Sequence, residues 1–204
     1  DVYKRQPERV AEKVHALEYR YYPLVIEAEI DKLNVCDMKR KPSMRLLLIS
    51  NSTNAGEEYL RYPLPEIGRF LDGVREIVFV PYAAVTFSYA DYEKKVQARF
   101  AELGIRVRSV HRAKDPAALV RGAEAICVGG GNTFALAKKM QQQGLMTAIL
   151  RKIKAGTPYV GWSAGSNVCC PTISTTNDMP IVEPESFKAI GAVKFQINPH
   201  YLDA

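Results

Sequence analysis

The sequence predicts an α/β protein built on a doubly wound, mostly parallel β-sheet with helices on both faces. From residue 44 onward, short apolar runs alternate with amphipathic stretches, which is the pattern of repeated strand–helix units. The runs are continuously apolar, as in residues 46–49, and strands that are covered on both faces have this composition. Polar or glycine-rich loops follow three of the runs, and ligands of such sheets bind beyond the carboxyl ends of the strands.

Five strands and four helical stretches are predicted in chain order. The strands cover residues 45–50, 76–81, 105–110, 124–129 and 158–162. The helices cover residues 57–71, 89–103, 115–122 and 133–155, the last with a break at Gly144. Right-handed crossover connections then place the strands side by side in a single sheet.

Residues 1–43 differ from the remainder of the chain. Val10, Val14 and Leu17 follow a helical period, which predicts a helix over about residues 8–20. Met44 directly precedes the first strand, as at the start of many α/β domains. We therefore expect residues 44–204 to form the α/β domain and residues 1–43 to be an upstream segment outside it.

Composition excludes several classes of partner. The 204 residues are 47% hydrophobic and 25% charged, which is typical of a globular protein. No apolar run reaches the ~20 residues of a membrane-spanning helix, and the cations behind the net charge of +6 are scattered. We therefore expect neither a membrane nor a nucleic acid as partner. The four cysteines lack CxxC spacing, which favours free thiols and a cytoplasmic location.

The stretch around Ser163 carries the main chemical signal. Gly161, Ser163 and Gly165 have the spacing of a nucleophile elbow, in which a strand turns sharply into a helix and exposes the serine hydroxyl. The N–H of Ala164 and the helix N-terminus then face a bound group. The alternative is a glycine-rich loop with an incidental serine.

A second loop, residues 129–133, follows the fourth predicted strand with the sequence Gly-Gly-Gly-Asn-Thr. Three glycines let the backbone approach a ligand closely. A phosphate cradle is the rival interpretation, but neither GxGxxG nor GxxxxGK[ST] is matched. We predict an oxyanion hole formed by the N–H groups of Gly131 and Ala164.

Five motifs occur in a compatible order over residues 44–53, 128–134, 161–167, 175–182 and 196–200. From Met44 to the end, the chain closely resembles the peptidase E (α-aspartyl dipeptidase) family. The resemblance implies a class I glutamine amidotransferase-like fold in which serine replaces the cysteine nucleophile. It also implies hydrolysis of dipeptides, and some tripeptides, with a free N-terminal aspartate, without a cofactor.

By this resemblance Ser163 is the nucleophile and His200 the general base. The chemistry agrees, because a serine hydroxyl needs a neighbouring imidazole to take its proton and to protonate the leaving amine. Of the other two histidines, His15 lies in the upstream segment and His111 ends a predicted strand. No histidine or cysteine has metal-ligand spacing with His200, so no metal site is expected. Asn132 and Thr133 are expected to contact the amide or the free amine of the substrate.

The third catalytic member is open between two carboxylates. Asp178 gives the chain order Ser…Asp…His, although it also suits a turn that satisfies local backbone N–H groups. The family resemblance implies instead a glutamate in a Gly-Leu-Pro-Glu-Gly-like segment well after the histidine, and a downstream arginine for the substrate's aspartate. Neither occurs before Ala204, so we expect a C-terminally truncated member with impaired activity.

Two other functions stay open at this point. A cyanophycinase-like peptidase would use a similar serine turn to cleave β-linked aspartyl–arginine dipeptides. A non-catalytic binding module could keep an amidotransferase-like sheet without its chemistry.

Overall fold

A five-stranded parallel sheet forms the centre of the structure. The computed structural model describes residues 43–200, so the predicted helix over residues 8–20 and the upstream segment lie outside the described residues. The strands are β1 (Leu46–Ile49), β2 (Glu76–Val80), β3 (Arg106–Ser109), β4 (Ala125–Val128) and β5 (Tyr159–Trp162). Their order is β1-β5-β4-β2-β3, and every neighbouring pair is parallel. The predicted sheet and its five strands are confirmed.

Six α-helices connect or follow these strands in the described part of the chain. They are α1 (Leu64–Phe70), α2 (Tyr89–Ala101), α3 (Pro116–Arg121), α4 (Thr133–Gln142), α5 (Leu145–Lys154) and α6 (Ala164–Asn167). A short 3₁₀ turn, Val110–Arg112, follows β3. Gly144 has a φ of 64° and separates α4 from α5, so the predicted break is confirmed.

The prediction of a helix over residues 57–71 was wrong in its first half. Helix α1 begins only at Leu64, after Pro63 at its N-cap. Proline lacks an N–H and is tolerated only in the first turn of a helix, so Pro63 and Pro65 fix the start there. Leu60 also has a φ of 55°, which no right-handed helix accommodates. The apolar residues directly before Pro63 therefore belong to a turn that precedes α1.

Helices cover both faces of the sheet, as predicted. Successive residues of a strand point to opposite faces, and β4 shows this directly: Ile126 packs in one apolar cluster with Leu136 of α4, while Cys127 packs in the other with Phe100 of α2. All four β4 residues are fully buried. No helix within residues 43–200 is long and apolar enough to cross a membrane.

The strand order brings three loops to one edge of the sheet. Ile49 pairs with Trp162, and Val128 pairs with Gly161, so β1, β5 and β4 end side by side. The N–H of Ser163 donates to the carbonyl of Ile49 at 2.9 Å, which continues the ladder one residue past β5. The loops after β1, β4 and β5 therefore meet at the carboxyl edge, where a parallel sheet binds its ligands.

Candidate active site

Ser163 occupies a sharp turn between β5 and α6. Its φ of 54° and ψ of −117° lie outside the regions that L-residues ordinarily populate. Such strain costs about 1–3 kcal/mol and persists only where the surrounding structure enforces it, often at functional sites. The conformation is that expected for a serine on a nucleophile elbow.

Two glycines allow this turn to pack against the sheet. A Cβ atom at Gly161 would lie 2.5 Å from the carbonyl oxygen of Gly165. A Cβ atom at Gly165 would lie 2.0 Å from the carbonyl oxygen of Val128 on β4. Because real Cβ atoms do not approach oxygen this closely, both positions require glycine. The hydroxyl of Ser166 stabilises the turn, because it lies within hydrogen-bonding distance, 2.8 Å, of the carbonyl oxygens of both Ile49 and Gly161.

His200 meets Ser163 across the edge of the sheet. Its Nε2 lies 2.7 Å from the Oγ of Ser163, although 37 residues separate them in the chain. The backbone N–H of His200 donates to the Oγ of Ser50, at 3.0 Å, directly after β1. His200 itself has a φ of 61°. The two side chains that the sequence predicted as nucleophile and base are thus in hydrogen-bonding contact.

Side chains, rather than a helix or strand, hold the segment that carries His200. The carbonyl of Ile197 accepts two hydrogen bonds, from Nδ2 of Asn167 at 2.9 Å and from Oγ1 of Thr175 at 2.5 Å. The N–H of Ile197 contacts the sulfur of Cys170 at 3.2 Å. Asn167 is fully buried at the end of α6, so the same short helix that begins after Ser163 also anchors the histidine segment.

The glycine loop after β4 lies against the serine turn. A Cβ atom at Gly130 would lie 2.8 Å from the Cβ of Ser163. Gly131 has a φ of 134°, and a Cβ there would lie 2.3 Å from the carbonyl oxygen of Ala83. Among residues 43–200, the N–H of Gly131 donates to no acceptor. Ala164 is the first residue of α6, where N–H groups have no partner within the helix.

These loops enclose a cleft of about 520 Å³. Ser163, His200, Gly130 and Gly131 line it on the side of the sheet. The other described lining residues come from the loop after β1, from the β2–α2 loop, from α2, from the start of α4 and from the segment after α6; they are Ser52, Thr53, Tyr59, Ala83, Ala84, Val85, Thr86, Phe87, Tyr92, Lys95, Asn132 and Asp178. A cleft of this size accommodates a small ligand such as a dipeptide.

Asp178 lies in the cleft but does not bond His200 within the described residues. Its Oδ2 accepts hydrogen bonds from the N–H of Thr133 at 2.7 Å and from Oγ1 of Thr176 at 3.0 Å. A carboxylate at a helix N-terminus is stabilised by free N–H groups and by the helix dipole. The geometry therefore gives Asp178 a capping role at α4, and the predicted catalytic role lacks the contact that it requires.

Asn132 and Thr133 also serve the start of α4. The Oδ1 of Asn132 accepts from the N–H of Ala135 at 3.0 Å, and its Nδ2 donates to the carbonyl of Met179 at 2.8 Å. Thr133 is 1% exposed and bonds Thr176 through its hydroxyl at 3.0 Å. Thr133 does not line the cleft, so its predicted contact with the substrate has no support from its position. Asn132 lines the cleft, but both ends of its amide are already engaged.

Comparison with known proteins identifies the family. The sequence model of Peptidase family S51 matches residues 46–204. The chain belongs to peptidase family S51. It is similar to Peptidase E of Nostoc sp. (strain PCC 7120 / SAG 25.82 / UTEX 2576), with 52% identity over 163 residues, which cover 79% of this chain and 67% of that protein. Peptidase E of Citrobacter koseri is 48% identical over 161 residues, covering 79% and 70%.

Solved structures agree in fold with this S51 chain. A candidate peptidase E from Listeria monocytogenes EGD-e superposes with a TM-score of 0.62 at 24% identity, covering 76% of this chain and 78% of the other. A peptidase from an acI-B1 Actinobacterium superposes with a TM-score of 0.57 at 18% identity, covering 76% of this chain and 67% of the other. The predicted class I glutamine amidotransferase-like α/β fold is confirmed. The family assignment also makes the chain a serine-type peptidase.

A tyrosine network beneath the S51 site was not anticipated from the sequence. The hydroxyl of Tyr92 donates to the carbonyl of Gly130 at 3.0 Å and accepts from Nε1 of Trp162 at 3.1 Å. Tyr59 bonds the same hydroxyl at 3.2 Å. Burial raises the pKa of both Tyr59 and Tyr92, so both hydroxyls stay protonated near neutral pH. Tyr92 thereby fixes the glycine loop through the carbonyl of Gly130.

The described cysteines of this S51 chain are unsuited to act as nucleophiles. Cys127, Cys169 and Cys170 are buried free thiols, and none lines the cleft. Burial raises the pKa of Cys169 to about 12, and it raises the pKa of Cys127 further still. Since the thiolate is the reactive form, both side chains are inert. Within residues 43–200, no three His, Cys, Asp or Glu side chains come together as a metal site.

Proposed function

We propose that the protein hydrolyses dipeptides with a free N-terminal aspartate, through an aspartyl ester on Ser163. The observation that carries the proposal is the 2.7 Å contact between Oγ of Ser163 and Nε2 of His200 at the mouth of the cleft. The preference for aspartate rests on the resemblance of five motifs to the aspartyl dipeptidase family. Similarity to two Peptidase E proteins at about half identity supports the same reaction class.

The first step is attack of Ser163 on the aspartyl carbonyl. His200 accepts the hydroxyl proton at Nε2 as the C–O bond forms, and then gives that proton to the leaving amine as the C–N bond breaks. Water attacks the resulting ester with His200 again as base, which releases aspartate and restores the serine. Every step uses protein side chains and water, so the proposed mechanism needs no cofactor.

The N–H groups of Gly131 and Ala164 are the proposed donors to the oxyanion. The position of Gly131 in the cleft and the start of α6 at Ala164 support this assignment. One such donor stabilises the transition state by about 3 kcal/mol. Asp178, Thr176 and Tyr92 would act indirectly, because their hydrogen bonds hold the loop that carries Gly131.

A comparison of substrates tests the proposal. The protein is expected to cleave Asp-Leu and to cleave Ala-Leu and β-aspartyl-arginine at least about a hundredfold more slowly, because a polar site rejects ligands that leave its groups unpaired. A fluorophosphonate probe should label Ser163, as located by peptide mass spectrometry. Faster cleavage of β-aspartyl-arginine would favour the cyanophycinase-like alternative. An unlabelled serine together with intact Asp-Leu would favour a binding module.

Asn167→Ala is expected to lower kcat for Asp-Leu by about tenfold to a hundredfold, because a shift of about 1 Å in a catalytic group has such an effect. The substitution removes the buried amide that bonds Ile197 and Thr175, so the segment bearing His200 loses one anchor. KM should change by less than about threefold, since Asn167 is buried and does not line the cleft.

Thr175→Ser is the matched control for this prediction. Serine retains the hydroxyl that donates the other hydrogen bond to the carbonyl of Ile197, so kcat should be preserved. Urea denaturation should show that Asn167→Ala remains folded under the assay conditions. An unchanged kcat in a folded Asn167→Ala protein would show that the histidine segment does not depend on this anchor.

We also propose a cytoplasmic location and a catalytic domain that begins near residue 44. Buried free thiols at Cys127, Cys169 and Cys170 support a reducing compartment. The family match from residue 46 supports the domain start.

A further inference from the structure

Lys95 is a cation in the wall of the cleft. It lies on α2, one helical turn after Tyr92, and lines the same cleft as Ser163 and His200. Its Nζ stands 4.2 Å from the centre of the Tyr59 ring, an attractive cation–π contact. Of the cleft-lining residues that the structure describes, Lys95 alone carries a permanent positive charge.

Lys95 has no carboxylate partner among residues 43–200. Its neighbour Lys94, by contrast, lies 3.9 Å from Asp91 on the outer face of α2. The other fixed charge in the cleft, Asp178, is already engaged by Thr133 and Thr176. The residue thus brings an ammonium group to the cleft that Ser163 and His200 also line, without an internal counter-ion in this part of the chain.

We infer that Lys95 binds a carboxylate of the substrate. The inference rests on the proposed function, because a dipeptide with N-terminal aspartate brings two carboxylates, its aspartyl side chain and its C-terminus. Either group would form a charge-assisted hydrogen bond with the ammonium, a stronger contact than one between neutral partners. The flexible four-carbon stem of lysine allows Nζ to leave the Tyr59 ring and reach a bound peptide.

Direct binding to non-hydrolysing variants tests the inference. Calorimetric titration would compare Ser163→Ala with Ser163→Ala/Lys95→Met, using Asp-Leu, Asp-Leu amide and Asn-Leu as ligands. Methionine keeps a similar apolar stem against Tyr59 but removes the charge. Asp-Leu is expected to bind about tenfold or more weakly without Lys95, in keeping with a lost hydrogen bond between charged groups. Ser163→Ala/Lys94→Met is the matched control and should bind like Ser163→Ala.

The two neutralised peptides distinguish the source of the carboxylate. If Lys95 holds the C-terminus, its loss leaves Asp-Leu amide binding unchanged; if it holds the aspartyl side chain, its loss leaves Asn-Leu binding unchanged. An equal loss for all three peptides, no loss for any, or no measurable binding to Ser163→Ala would overturn the inference. Because these variants need not turn over, a protein that binds Asp-Leu through Lys95 but never cleaves it would refute the proposed function alone.

Discussion

Ser163→Ala is expected to lower kcat/KM for Asp-Leu by at least about 10⁴-fold, since removal of the proposed nucleophile leaves only binding and oxyanion stabilisation. His200→Gln should have an effect of similar size, because the hydroxyl 2.7 Å from its Nε2 then loses its base. The double variant should be scarcely worse than either single one, since the two side chains act as a unit. Initial rates of amine release over a range of substrate concentrations measure all three variants.

A second serine–histidine pair in the protein provides the control. Oγ of Ser109 lies 2.6 Å from Nδ1 of His111, but Ser109 is 4% exposed and neither residue lines the cleft. Burial also lowers the pKa of His111, against the opposing effect of Glu93. Ser109→Ala and His111→Gln should therefore retain kcat/KM within about threefold, as expected for residues outside a catalytic unit. If these variants lost activity while Ser163→Ala stayed active, the reaction would depend on Ser109 and His111, and the proposed mechanism would be refuted.

Gly165→Ala is expected to reduce the free energy of unfolding by at least about 3 kcal/mol, because inserting an atom into a packed interior forces the backbone apart. The new Cβ would lie 2.0 Å from the carbonyl oxygen of Val128, and neither β4 nor α6 can move without disturbing the other. Displacement of α6 would also shift Ser163, which directly precedes that helix, and Asn167, which is its last residue. Urea denaturation followed by circular dichroism measures the loss.

Gly122→Ala serves as the matched substitution. Gly122 has a φ of −87°, and a Cβ there would meet nothing closer than the carbonyl of Leu119 at 3.7 Å. The free energy of unfolding of Gly122→Ala should differ from that of the parent protein by less than about 1 kcal/mol. Alanine can even stabilise the protein, because it restricts the unfolded chain. If Gly165→Ala unfolded at the same urea concentration as Gly122→Ala, the serine turn would not depend on this close approach.

Sequence patterns were sufficient to predict the strands of the sheet, because these strands are buried on both faces. Continuous apolar runs such as those of β4 and β5 have few other structural solutions in a chain of this size. The start of α1 was misplaced because the periodic residues before Pro63 are apolar for a different reason. They lie in a turn, and among them Leu60 reaches complete burial with a left-handed backbone.

The contact between Ser163 and His200 could be predicted because the proposed acyl-transfer chemistry requires those residue types in recognisable motifs. It was harder to predict the roles of Asp178, Asn132 and Thr133, since a polar residue beside a loop can equally cap a helix or bind a ligand. Only the tertiary contacts distinguish the two roles: here the oxygens of Asn132 and Asp178 accept from N–H groups at the start of α4. The contacts of Ser50 and Tyr92 join segments 150 and 38 residues apart, which single-sequence patterns do not encode.

The pairing of β1 with β5 has a consequence for the order of assembly. During synthesis, residues 46–49 leave the ribosome more than a hundred residues before their partners at 159–162, and long-range parallel pairing is slow because chain closure precedes any gain in contacts. The position of Ser163, the proposed nucleophile, depends on that last pairing, since its N–H bonds the carbonyl of Ile49 and the N–H of His200 bonds Ser50. A nascent or incompletely closed chain therefore lacks a working peptidase centre, and hydrolytic activity should emerge only with the final step of folding.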